Sequence, residues 1–98
     1  MEVTWTLRAL KTYFKVSDYL QEAWGDVVVK NFALEVEKII REIQEHPEMF
    51  EVSKRYKNVR KGFVTEYNTL FYRIKPRKKE IELLIFWDNR QDDKKRQY

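Results

Sequence analysis

Fourteen Lys and Arg residues fall between positions 51 and 98 against seven Asp and Glu, whereas residues 1–50 carry six against nine. Cationic groups gathered in this way neutralise phosphates or carboxylates, and they can stabilise a developing negative charge without a metal. Crowding can also shift their proton affinity enough for acid or base work. Arg60, Arg73 and Arg90 are the leading candidates, because each lies in or beside a segment with strand character. Lys61 and Lys75 accompany them, and Arg77-Lys78-Lys79 forms a basic connection. Lys94-Lys95-Arg96 adds a second run. The plainer alternative for both runs is a solvated hairpin tip and a solvated tail. A positive field concentrated on one half of the chain points to a polyanionic partner, either nucleic acid or an acidic protein.

Other chemistries find little support. There is no cysteine, so disulfides and thiolate metal sites are excluded, and His46 is the only histidine. No phosphate-binding Gly loop, nucleophile elbow or metal-ligand spacing occurs, and no cofactor is expected. Glu35, Glu37 and Glu42 share the polar side of a helical segment without forming a convincing carboxylate pair. No apolar run approaches the roughly 20 residues needed to cross a bilayer. Met1-Glu2-Val3-Thr4-Trp5 does not have the basic-then-apolar pattern of a signal peptide. A cytoplasmic protein with no membrane partner is the expectation.

The elements that must position these groups follow from periodicity. The chain has 98 residues, 43% of them hydrophobic, enough for one small domain over residues 1–90 followed by a polar tail at 91–98. Val3 and Trp5 alternate around Thr4 as a short first strand. Thr6 offers a helix cap, and Leu7, Leu10, Phe14, Ser17, Leu20 and Trp24 recur at helical spacing as the expected buried stripe. Gly25 suits the helix end, and Asp26 is expected to cap a second helix striped by Val29, Phe32, Val36, Ile39, Ile40 and Ile43. Pro47 stops that helix. Residues 48–57 read as a charged loop, and Asn58 to Thr65 as a strand with Gly62 its weak point. Residues 66–69 read as a turn, Leu70 to Lys75 and Ile81 to Trp87 as strands joined by Pro76-Arg77-Lys78-Lys79. Asp88 to Tyr98 is expected to be mobile at its end unless a partner orders it. The order β-α-α-β-β-β predicts an α+β fold, a helical hairpin packed on a mainly antiparallel sheet.

That order, with these residues, resembles the RelE/ParE superfamily of bacterial type II toxins. The likeness is carried by Trp5-Thr6-Leu7-Arg8-Ala9, Asp18-Tyr19-Leu20, Glu45-His46-Pro47-Glu48-Met49, Asn58-Val59-Arg60-Lys61, Leu70-Phe71-Tyr72-Arg73-Ile74 and Phe86-Trp87-Asp88-Asn89-Arg90-Gln91-Asp92. It implies a growth-inhibiting toxin neutralised by a cognate antitoxin, which a groove beside the helix hairpin can accept as a partly disordered segment. Two targets occur in the superfamily: ribosome-bound mRNA, which is cleaved, and DNA gyrase, which is inhibited. For a cleaving member the resemblance implies catalytic roles for Arg60, Arg90 and Tyr98. Whichever target applies, Lys61, Arg73, Lys75, Arg77, Lys78 and Lys79 are the candidates for contact with nucleic acid or a partner. Gly62 and Thr69 stand where the cleaving branch often has basic residues, and Asp88 stands where several relatives carry His. The gyrase-inhibiting branch shares the uninterrupted helix hairpin and Arg60. An inactive relative or a small RNA-binding protein remains a further alternative.

Overall fold

The computed structural model describes residues 1–91 and 98. Strand β1 (Glu2–Trp5) leads into helices α1 (Leu7–Trp24) and α2 (Asp26–Glu45), followed by β2 (Glu51–Val52), β3 (Val59–Thr65), β4 (Asn68–Lys75) and β5 (Glu80–Asp88). The five strands form one sheet in the order β1-β5-β4-β3-β2. All neighbours are antiparallel except β1, which runs parallel to β5. The last strand is therefore interior, as its nearly unbroken apolar run Ile81 to Trp87 requires. No helix among the described residues is long and apolar enough to cross a membrane.

Local signals explain most boundaries. The Thr6 hydroxyl accepts a hydrogen bond from the Ala9 amide at 3.0 Å and starts α1. Gly25 separates the helices at φ +87°, a conformation that suits a residue without Cβ. Asp26 does not cap α2, contrary to expectation. It is the first residue of that helix, and its carboxylate instead accepts from the Gln21 side-chain amide at 2.6 Å. The turn between β3 and β4 shrinks to Glu66 and Tyr67, because Asn68 and Thr69 are buried and already belong to β4. Within the expected loop 48–57, Glu51 and Val52 pair with Lys61 and Arg60 as a small edge strand.

The core lies between the helices and one face of the sheet. Phe32, Val36, Ile39 and Ile43 of α2 meet Val64, Leu70, Tyr72, Ile74, Ile81, Leu83 and Phe86. The expected stripe of α1 is a correction: Leu7, Leu10, Phe14 and Trp24 are 67%, 39%, 56% and 68% exposed. Leu20 packs on the core as expected, joined by Ala9, Tyr13 and Val16, which the expected stripe did not include. Tyr13 explains the exchange, since its ring packs against Trp5, Phe32 and Phe86 at centroid distances of 5.5–5.7 Å. A large aromatic at the centre of the layer decides which side of the helix turns inward. On the opposite sheet face a second cluster gathers Val59, Phe71, Leu84, Ile85 and Trp87.

Candidate functional site

The cationic residues do not form one platform. Arg60 points to the helix side of the sheet, where its guanidinium donates to the carbonyls of Glu48 (2.9 Å) and Phe50 (2.7 Å). Arg73 is registered with Val59 and lies on the opposite face. Arg90 sits in the turn beyond β5. The expected grouping of these three arginines is thus corrected by strand alternation, which sends residues 60 and 73 to opposite sides. Lys61, Arg73 and Lys75 do share the face away from the helices, but with acidic company. Lys61 pairs with Glu51 at 3.6 Å, and Glu82 receives both Arg73 (3.8 Å) and Lys75 (3.1 Å). Arg77, Lys78 and Lys79 are exposed at the β4–β5 connection. That connection is the far end of an eight-residue strand from Arg90, about 25 Å away at strand spacing.

Tyr98 takes a different place again. Its ring lies 5.6 Å from Tyr56 and 6.4 Å from Phe71, and its backbone oxygen accepts from the Ser53 hydroxyl at 2.8 Å. The residue expected to be mobile therefore closes the apolar cluster on the face away from the helices. Lys94-Lys95-Arg96 falls outside the described residues. Gly62 is not a weak point but a close approach. A Cβ there would stand 3.3 Å from two Ile39 side-chain carbons and 3.4 Å from the Phe50 ring. A basic side chain at this position would press on the Ile39 side chain and the Phe50 ring.

A groove of about 850 Å³ lies between the helix hairpin and one end of the sheet. One wall is α1, held against β5 by two threonines. β1 ends its pairing at Leu83, and the Thr6 hydroxyl then bonds the Leu84 carbonyl at 3.2 Å. One turn and a half later the Thr12 hydroxyl accepts from the Phe86 amide at 2.9 Å. These hydroxyls take over the hydrogen bonding that a longer β1 would supply. The other wall is the first half of α2, through Val28, Asn31, Phe32 and Glu35, and Val16, Leu20 and Phe86 make an apolar floor.

The sheet end of the groove is a polar lattice. Thr69 donates to the Asn89 side chain at 2.7 Å, Asn89 donates through its amide to the Tyr67 carbonyl at 2.8 Å, and Asn68 donates to Thr65 at 3.2 Å. On that base Arg90 makes a two-pronged contact with Asp88, both bonds 2.9 Å, and lies 4.8 Å over the Tyr67 ring. The Tyr19 side chain of α1 also lies beside Arg90 and adds to raising its guanidinium. The Arg90 side-chain bond holds the Asp88 carboxyl below its ordinary value, and the same bond raises the Arg90 guanidinium. Arg90 thus clasps β5, the β3–β4 turn and α1 at the groove mouth, beside the exposed rings of Tyr19, Tyr67 and Trp24. Arg8, Lys15 and Arg90 on the rim outnumber Glu35 and Asp88. Apolar floor, aromatic rim and excess cation together suit an amphipathic acidic peptide.

Sequence reasoning found Arg90 but not its companions. The lining residues Leu20 and Trp24 lie on the expected α1 stripe but read as core from the sequence, and Tyr19 lies off that stripe. The run Thr65, Asn68, Thr69, Asn89 is a usable signal in hindsight, since small polar residues flanking strand ends form such lattices.

A two-helix hairpin over a five-stranded sheet with β1 parallel to the last strand defines a toxin of the RelE/ParE superfamily. More particularly, the chain belongs to the family described as ParE toxin of type II toxin-antitoxin system, parDE, whose sequence profile matches residues 3–93. No curated protein matches it significantly in sequence. Among solved structures it is similar to a YoeB/ParE toxin from Agrobacterium tumefaciens, with TM-score 0.67 and 14% identity over 91% of this chain and 99% of that one. It is also similar to a chain of the chromosomal ParDE toxin–antitoxin system from P. aeruginosa (TM-score 0.63, 18% identity, 90% and 95% covered). A third likeness is to a chain in the heterotetrameric YoeB-YefM toxin-antitoxin complex from Staphylococcus aureus (TM-score 0.54, 13% identity, 87% and 92% covered). At these identities the likeness is one of fold.

Proposed function

We propose that this chain arrests bacterial growth by inhibiting DNA gyrase without cleaving nucleic acid, and that an antitoxin segment lying in the helix–sheet groove silences it. The observation that carries the first half is the dispersal of the groups a metal-free nuclease needs. Arg60 is engaged with two backbone carbonyls, Arg90 is clasped by Asp88, and Tyr98 packs on the opposite sheet face. A scissile phosphate needs its cations converging within hydrogen-bond reach. Membership of the ParE family favours the gyrase-directed branch over the ribosome-directed one. The groove supports the second half, because its cationic, aromatic rim and apolar floor fit an acidic amphipathic segment that orders on binding.

The test is a supercoiling assay with purified gyrase beside ribosome toeprinting. The expected result is loss of supercoiling that the antitoxin reverses, with no new mRNA 3′ ends. New 3′ ends in the presence of ribosomes, with supercoiling untouched, overturn the assignment in favour of mRNA cleavage. Replacing Trp24 and Leu20 by Ala in the groove is expected to weaken antitoxin capture by about 10- to 100-fold, the usual effect of truncating large apolar anchors.

A further inference from the structure

Helix α1 carries a second, outward stripe that the described residues leave uncovered. Leu7, Lys11, Phe14, Asp18 and Gln21 follow one another at steps of four and three, so they lie in line along the solvent side, with Leu10 beside them. Leu7, Leu10 and Phe14 are exposed, and the groove uses a different flank of the same helix, through Thr12, Val16 and Tyr19. An apolar stripe on a helix calls for a partner.

The charges on the stripe say which partner. Lys11 lies one turn before Phe14 and Asp18 one turn after it, about 10 Å apart along the axis. Neither makes an ion pair among the described residues. The stripe therefore has no net charge, which favours neither a polyanion nor the acidic segment that suits the groove. It is, however, complementary to its own reversed copy. Two α1 helices packed antiparallel about a dyad near Phe14 bring Lys11 opposite Asp18 of the partner subunit, and the reciprocal pair forms by symmetry. Phe14 and Leu10 then lie at the centre of the contact, away from water.

We infer that the outward face of α1 is an isologous dimer interface, by which two copies of this chain associate through Phe14, Leu10 and a reciprocal Lys11–Asp18 pair. Contact through one helix per subunit is small, so the dimer is weak and reversible rather than obligate. The groove flank lies to the side of the contact, so each subunit keeps its groove open.

Sedimentation velocity on the purified full chain, over micromolar to submillimolar concentrations, tests this. A concentration-dependent monomer–dimer equilibrium is expected, abolished by Phe14→Glu. Lys11→Glu and Asp18→Lys should each weaken association by about tenfold, because each places like charges opposite one another twice. The double variant Lys11→Glu/Asp18→Lys restores the pairing with its polarity reversed and should recover the dimer. Circular dichroism melts of the dilute variants should match the parent, which separates a lost interface from a lost fold. A chain that stays monomeric throughout overturns the inference, and so does a dimer indifferent to Phe14→Glu or a double variant without recovery. A monomeric chain whose Phe14→Glu variant fails to capture antitoxin reassigns the face to the antitoxin.

Discussion

Arg60 shows how a residue with the right chemistry for a reactive site can be given to architecture. Its guanidinium joins the carbonyls of Glu48 and Phe50, in the connection that leaves α2, to the start of β3. Tyr72, its register partner, donates from its hydroxyl to the Pro47 carbonyl at 2.6 Å, and burial pushes that phenol upward. The two side chains satisfy three carbonyls in the irregular connection after α2, where no ladder or helix supplies partners. Arg60→Ala should therefore lower stability by about 1–3 kcal/mol, the cost of leaving such acceptors unpaired, as read from urea denaturation midpoints. Unchanged stability with lost activity would instead identify Arg60 as part of the reactive surface. From the sequence Arg60 was legible as a strand cation. Its direction was not, because the carbonyls it serves lie in a segment with no periodicity.

At the level of elements, α1 and β2 mark where pattern reading stops. Two stripes coexist on α1, and the one made of larger aliphatic and aromatic residues is the exposed one. Periodicity identifies the helix but cannot rank its faces, since ranking depends on what Tyr13 meets across the layer. Leu7→Ala should accordingly change stability by less than about 0.5 kcal/mol in dilute solution. Ile43→Ala, at a fully buried position of α2, should cost about 2–5 kcal/mol. Denaturation of the two variants side by side checks the assignment of faces, and comparable losses would contradict it. The α2 stripe, the Thr6 cap, Pro47 and the interior character of β5 were all plain in the sequence, because each rests on local geometry or on an unbroken apolar run. Strand β2 was not, since both of its residues are exposed and two positions cannot show alternation.

For the molecule as a whole, the Arg90 clasp links parts far apart in the chain: α1 through Tyr19, the β3–β4 turn through Tyr67, and the end of β5 through Asp88. Its pH dependence follows from the sign of the Asp88 shift. The folded carboxyl titrates below its ordinary value of 3.8, so the clasp contributes fully above that value and is lost as pH falls through the lower folded one. The Arg90 side-chain N–H resonance in NMR should stay protected through the ordinary carboxyl value of 3.8 and broaden only at lower pH, whereas Asp88→Asn should broaden it already at neutral pH. The charge asymmetry between the halves of the chain suggested one cationic platform, which strand alternation and the carboxylates of Glu51, Glu82 and Asp88 break up. A groove beside the helix hairpin was expected, but its lining was not, because that arises from the packing of three distant segments.

The parallel pairing of β1 with β5 has a consequence for synthesis. Glu2 is registered with Glu80 and Trp5 with Leu83, so the first strand made waits for the last one. β5 also separates β1 from β4, so a ribosome-bound chain lacking it cannot assemble the sheet. Closing so long a loop late makes folding slow and post-translational. Every surface built on β5, the groove included, thus comes into being only once that last strand has emerged and found its place between β1 and β4.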